Sequence, residues 1–284
     1  MPVIYSSKRP LMFGVRQLRN FSPAKSGLVG QGGEAEVYRQ GGRCGVPLII
    51  KKYACGDALF LAKNEGARLC ELDHPGIVKG YGYGADYVVM EYFNGRNLSL
   101  EQTRQPLSVI EAVDLLLMIA TPLAYLHERG LVHGDLKPKN ILYDGETIKL
   151  CDLSSCRLAG ERLIINGYGT DIGTWHYFSP SRKLGHAPVP TDDLYGLGLT
   201  FIQLLSGKPI PIEEKEWWLR RTIEGSNLTS PLREIAYRLT MPNDRVLKNA
   251  GALINEIVTL PEEAFSLSPL QYLEYEFERI TSGR

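Results

Sequence analysis

The chain has 284 residues, 44% hydrophobic and 23% charged, and its 32 Lys plus Arg balance 32 Asp plus Glu. A formal charge of zero excludes a molecule-wide field that would gather nucleic acid or anionic lipid, so electrostatic recognition is local and no nucleic-acid partner is expected. Five cysteines (Cys44, Cys55, Cys70, Cys151, Cys156), odd in number and without paired metal spacing, read as the reduced thiols of a cytoplasmic protein without a structural metal.

Residues 1–26 form a basic extension carrying Lys8, Arg9, Arg16 and Arg19, with no acidic residue and no apolar stretch of signal-peptide length. From 27 to about 92 the pattern is a small sheet-based lobe. Strands are expected at Val37–Tyr38, Leu48–Ile50 and Tyr87–Tyr92, and a helix over Ala58–Leu72. A linker near Phe93–Asn97 leads into a mainly helical lobe, about 98–260. Its first helix is announced by a capping box, Ser108-Val-Ile-Glu111, ahead of Val113, Leu116, Leu117 and Ala120. The apolar runs Leu115 to Leu126 and Leu194 to Leu205 are interrupted by Pro122 and by Gly196 and Gly198, and read as buried helices; no membrane span is expected. In the tail, 261–284, Ser268-Pro269 precedes apolar residues at helical spacing (Leu270, Leu273, Phe277, Ile280), which predicts a helix docked on the preceding domain.

Three segments carry chemistry. Gly30, Gly32 and Gly33 lie between strand-like stretches that end at Val37, and a loop without Cβ atoms lets backbone N–H groups approach phosphate oxygens. Leu48-Ile-Ile-Lys51-Lys52 is an apolar strand ending in two lysines; neighbours on a strand point to opposite faces, so Lys51 is expected inward and Lys52 toward solvent. In His133-Gly134-Asp135-Leu-Lys137-Pro-Lys-Asn140 a carboxylate, an ammonium and an amide follow at steps of two and three. One proton acceptor, one phosphate ligand and one metal ligand then converge on a short loop.

The last segment resembles the protein-kinase catalytic loop H-R-D-L-x-x-x-N, and the resemblance continues over roughly residues 27–258. Gly30, Gly32, Ala35 and Val37 are similar to the Gly-rich loop, with Ala35 in place of its third glycine. Lys51 matches the strand lysine and Glu65 its helix partner. Met90-Glu91-Tyr92 resembles the gatekeeper and the start of the hinge, with Met90, Glu91 and Phe93 on the nucleotide side. Asp152-Leu153-Ser154 occupies the D-F-G position, Gly173-Thr174 through Ser179-Pro180-Ser181 the end of the activation segment, and Asp193 to Gly198 the anchoring helix below it.

The resemblance implies an α+β, bilobal protein-kinase-like fold, with the kinase domain at 27–260. It implies ATP with Mg²⁺, or alternatively Mn²⁺, and a protein substrate bearing Ser or Thr. Lys51, held by Glu65, would bind the α- and β-phosphates; Asn140 and Asp152 would ligate the metal; Asp135 would take the acceptor's proton; Lys137 would neutralise charge on the transferring phosphate. Asp-Leu-Lys together with Thr174 resembles the Ser/Thr branch. The H-G-D triplet is also similar to aminoglycoside-type phosphotransferases, which usually lack Lys137 and the closing Gly-Thr and Tyr-x-x-Pro. A pseudokinase scaffold is the remaining alternative, disfavoured because Lys51, Glu65, Asp135, Asn140 and Asp152 are all present. Oligomeric state stays open.

Four departures stand out. Gly134 replaces the arginine that grips a phosphorylated activation loop, so activity is expected not to need phosphate at Ser155 or Thr170; Arg157 or Arg162 would be the substitute readers of such a phosphate. Ser181 replaces the A-P-E glutamate, leaving Arg245 without its usual ion pair, so the lower lobe must be braced differently. Ser154 replaces the D-F-G glycine, and Leu153 is a smaller plug than Phe. Trp217-Trp218 falls where a docking helix is expected, with one ring in the core and the other open to a partner.

Overall fold

The computed structural model describes residues 27–41, 46–99, 105–165, 168–170, 173–241 and 247–265. The basic extension, Cys44, Arg245 and the expected tail helix lie outside the described residues.

The first lobe is an antiparallel five-stranded sheet in the order β1-β2-β3-β5-β4. Its strands are β1 (Gly27–Gln31), β2 (Ala35–Gly41), β3 (Pro47–Tyr53), β4 (Gly80–Tyr83) and β5 (Tyr87–Glu91). Register puts Val37 opposite Lys51, and Lys51 opposite Val88. Helix α1 (Ala58–Glu71) packs on β4 and β5. It buries Leu61, Ala62, Glu65, Gly66 and Leu69, a face set by the i, i+4 repeat. The expected strands and helix are present, each extended by one to a few residues or trimmed by one. Strand β4, Gly-Tyr-Gly-Tyr, was not anticipated, because glycine is depleted in strands. It is retained because Gly80 lets its backbone approach α1: an added Cβ would sit 2.7 Å from the main chain of Leu69.

The linker ends as β6 (Arg96–Asn97), which pairs with β8 (Ile141–Tyr143), itself paired with β9 (Ile148–Leu150). Helix α2 (Val109–Glu128) opens with the expected capping box: the Ser108 hydroxyl accepts from the Glu111 N–H, and the Glu111 carboxylate accepts from the Ser108 N–H. Pro122 does not interrupt this helix. It is carried inside it, so α2 runs long and apolar enough to cross a membrane by length and composition. Here α2 is a core helix. Its Leu116, Ile119, Leu123 and Leu126 are each 2% exposed or less, and it packs on the helices later in the chain.

After α2 come β7 (Leu131–Val132) and β10 (Arg157–Leu158), which pair, and the hairpin β11 (Leu163–Ile165) with β12 (Tyr168–Thr170). Then follow the single-turn α3 (Pro180–Lys183), α4 (Pro190–Ser206), α5 (Lys215–Glu224), α6 (Ser230–Thr240) and α7 (Ala250–Val258). Helix α2 packs on α4 and α7, and α4 on α6. On α5, Trp218 packs against the core while Trp217 is 56% exposed.

Helix α4 runs directly beneath the catalytic loop, and Gly196 is what admits it: a Cβ there would lie 2.6 Å from the Leu136 carbonyl oxygen, a backbone atom that cannot swing aside. Gly196→Ala is therefore expected to destabilise the domain by about 1–3 kcal/mol, lowering the melting temperature by about 2–4 °C per kcal/mol. An unchanged thermal melt would show that loop and helix can separate freely.

Candidate active site

The cleft between the lobes is built from two clusters. In the first, Lys51 reaches from β3 to Asp152, with Nζ 2.7 Å from Oδ1, and to Glu65 on α1, with Nζ 3.1 Å from Oε2. Lys52, its neighbour, faces the other way, as strand alternation requires. Burial alone would lower the Lys51 ammonium's pKa, but Asp152 and Glu65 reverse this and hold it well above the ordinary lysine value. Burial raises the Glu65 carboxyl, and Lys51 only partly offsets it. For Asp152 the balance is opposite: burial works upward, yet Lys51 wins and holds the carboxyl far below the usual range. Asp152 thus stays ionised in the cleft, with 33% of its side chain open.

The second cluster lies on the loop between β7 and β8. The Lys137 ammonium donates to Asp135 Oδ2 at 2.6 Å and to Thr174 Oγ1 at 2.5 Å, while the Thr174 N–H donates to Asp135 Oδ1 at 2.7 Å. Thr174 is thus bonded to both members of this pair. Asn140 donates from Nδ2 to the Asp135 carbonyl oxygen at 2.8 Å, which turns its Oδ1 the other way. An ionised carboxylate and an outward-facing amide oxygen are the hard oxygen donors that a Mg²⁺ or Mn²⁺ ion takes.

The loop is held from below by Asp193 of α4. Its Oδ2 accepts from the His133 N–H at 2.8 Å and faces His127 Nε2 at 3.0 Å, and its Oδ1 accepts from the Gly134 N–H at 2.9 Å. Gly134 has φ +82°, and a Cβ there would meet the Ser155 carbonyl oxygen at 2.8 Å. The position of the family arginine is thus occupied by main-chain packing between the catalytic loop and the turn after Asp152.

That turn corrects two expectations. At Asp152-Leu153-Ser154 the positive φ falls on Asp152, at 61°, and the residues Leu153–Ser155 form a 3₁₀ turn. A glycine is not needed at 154; instead the Ser154 hydroxyl donates to Asp152 Oδ1 at 2.7 Å. Leu153 is fully buried despite its size. Ser155, one of the two positions at which phosphate is expected not to be needed, is 1% exposed, so its hydroxyl is out of reach of a modifying enzyme. Arg157, the first proposed phosphate reader, is equally buried in β10, and Arg162 donates to the Gly185 carbonyl oxygen.

The bracing around Ser181 is supplied by Asp192, which accepts from the Ser179 hydroxyl at 2.5 Å and the Val189 N–H at 2.7 Å. Arg182 stacks 4.4 Å from the Phe178 ring. The segment 174–178 is fastened to α5 by Lys215, whose ammonium donates to the His176 carbonyl oxygen at 2.8 Å. Burial and the nearby Lys183 bring Lys215 down to about 7.

The remaining candidates form the roof and rim. The Gly32 N–H donates to the Ala35 carbonyl oxygen at 2.9 Å, closing the turn between β1 and β2, and a Cβ at Gly33 would meet nothing within 4 Å. Gly30 lies against Val37, and Met90 is buried. The Glu91 side chain is taken by the Lys79 N–H at 2.6 Å and by Lys149 at 2.8 Å. Lys149 also sits 5.9 Å from the Phe93 ring. Tyr53 and Asn64 belong to the site and were not read from the sequence. Tyr53 was within reach: two places beyond Lys51 on a strand is the same face. Cys151, next to Asp152, is partly buried, and burial pushes its thiol up to about 12.

Among known proteins, the chain is 31% identical over 199 residues to the serine/threonine-protein kinase PrkC of Bacillus subtilis, covering 66% of this chain and 30% of that one. It is 32% identical over 197 residues to PknA of Mycobacterium tuberculosis, covering 64% and 45%, and 39% identical over 171 residues to PknG of Mycolicibacterium smegmatis, covering 56% and 21%. The chain thus spans less than half the length of these relatives. A family model described as protein kinase domain matches residues 24–262, the whole span that builds both clusters, and the chain belongs to the protein kinase family.

Proposed function

We propose that this chain is an ATP-dependent Ser/Thr protein kinase, and the observation that carries the reading is the closed triangle of Asp135, Lys137 and Thr174. An aminoglycoside-type enzyme has no use for Thr174 in an activation segment bonded to the catalytic pair. Lys51, fixed by Glu65, binds the α- and β-phosphates. Asp152 and Asn140 would hold Mg²⁺ or Mn²⁺, which when bound neutralises phosphate charge. Asp135 orients the acceptor hydroxyl and takes its proton, and Lys137 offsets charge on the transferring group, so catalysis is positioning plus electrostatics. Gly30, Gly32, Gly33 and Val37 cover the phosphates, with Met90, Glu91 and Phe93 lining the base. A reducing, cytoplasmic location accords with free thiols at Cys55, Cys70, Cys151 and Cys156.

Purified protein with radiolabelled MgATP and casein or myelin basic protein tests this directly: phosphoserine and phosphothreonine are expected in the acceptor, and no transfer to an aminoglycoside panel. Label on the aminoglycosides alone would overturn it. Asp152→Ala is expected to reduce transfer by about 10²–10³-fold or more without loss of cooperative thermal unfolding, and retained activity would remove Asp152 from the metal site. Lys51→Met is expected to lose activity on the same scale while Lys52→Met stays within about threefold; the reverse ranking would contradict the register of β3. Finally, with Gly134 in place of the phosphate-gripping arginine, phosphatase-treated enzyme and Thr170→Ala are expected to keep most activity on an added substrate. A tenfold loss on dephosphorylation, about 1.4 kcal/mol, would mean that another basic group reads a loop phosphate.

A further inference from the structure

Glu65 is completely buried, and a buried carboxylate needs a donor for each oxygen. Its Oε1 accepts from the Leu153 N–H at 3.1 Å and from Lys51 at 3.3 Å. Its Oε2 accepts from the Tyr53 hydroxyl at 2.5 Å. Tyr53 ends β3, is 2% exposed, and stacks its ring 5.0 Å from the Lys51 ammonium. One side chain therefore touches both members of the pair that the proposed mechanism needs assembled. The neighbouring Asn64 ties the same turn of α1 to the loop after Asp152, donating to the Ser154 and Cys156 carbonyl oxygens at 2.8 and 3.1 Å. Asn64 thus ties α1 to that loop, whereas Tyr53 acts on the carboxylate itself, from the strand that bears Lys51.

We propose that Tyr53 is a positioning residue for phosphoryl transfer: its hydroxyl holds the Glu65 carboxylate against Lys51, keeping α1 in the phosphate-binding arrangement by a contact internal to the first lobe. The inference rests on the reading of Lys51 and Glu65 as the phosphate clamp. When Lys51 turns part of its charge to phosphate oxygens, Glu65 keeps a donor on Oε2 and does not need to swing out to water. A phenylalanine fills the same space but cannot supply that donor.

The test is a double-mutant cycle on the full chain with Tyr53→Phe, Glu65→Ala and both, reading kcat and KM for MgATP and for the protein acceptor, the MgATP affinity by calorimetry, and the melting temperature. Tyr53→Phe is expected to lower kcat/KM for MgATP about tenfold with the acceptor's KM unchanged, and to have no further effect once Glu65 is gone, the non-additivity of residues in contact. A purely structural tyrosine would lower the melting temperature and leave the split between the two substrates untouched. Activity of Tyr53→Phe within twofold of the parent, or losses that multiply in the double variant, would overturn the assignment. Should the phenylalanine variant not fold, Tyr53→Met removes the same donor with a more adaptable side chain and carries the same expectation. An inactive parent would count against the kinase reading, while MgATP affinities across the cycle would still report whether Tyr53 acts through Glu65.

Discussion

The carboxylate of Asp193 is buried to 1% exposure inside a helical lobe, and the loop that carries Asp135 is hung from it. A charge in that position is tolerated only with donors around it. It finds them in two consecutive main-chain N–H groups, of His133 and Gly134, and in the His127 ring. His127 in turn accepts at Nδ1 from the Ala250 N–H at the start of α7. Three helices, α2, α4 and α7, thereby converge on the loop that carries Asp135. These bonds hold Asp193 below the normal carboxyl range despite the opposing effect of burial, so the anchor stays charged across the physiological pH range.

The upper cluster follows a different logic. Lys51, Glu65 and Asp152 form a three-charge group in which one cation serves two carboxylates, and burial penalises all three. Such an arrangement is poor as a stabilising device, since apolar residues of equal volume would often do as well. Its value is that the lysine is pulled from both sides and its position is narrowly defined. Asp193 fixes the loop in the lower lobe, and β3 and α1 bring Lys51 and Glu65 to Asp152. Asn64 and the Leu153 N–H bridge the two, because both connect α1 to the segment that follows Asp152.

Much of this was legible in the residues. Helix boundaries followed from the capping box at Ser108 and from apolar periodicity; the inward face of Lys51 followed from strand alternation; and Asp135, Lys137, Asn140 and Asp152 followed from spacing that resembles one family. What escaped was of three kinds. Strand β4 was missed because glycine is depleted in strands, and its Gly80 serves close approach to α1. Ser154 was misjudged because the backbone reversal falls on Asp152 itself, although aspartate is among the few non-glycine residues that tolerate the left-handed region. Pro122 was read as a break, yet α2 accommodates it internally.

One detail of the metal-side turn bears on chemistry of another kind. Cys151 adjoins Asp152, a placement that invites thought of a redox-sensitive enzyme. Its thiol, however, is pushed up to about 12 by burial and by the adjacent Asp152 carboxylate. The thiolate is the form that attacks peroxides and disulfides, and near neutral pH it is scarcely populated here. The sulfur therefore behaves as a small apolar packing atom, with burial first and the Asp152 charge second in keeping its thiol protonated.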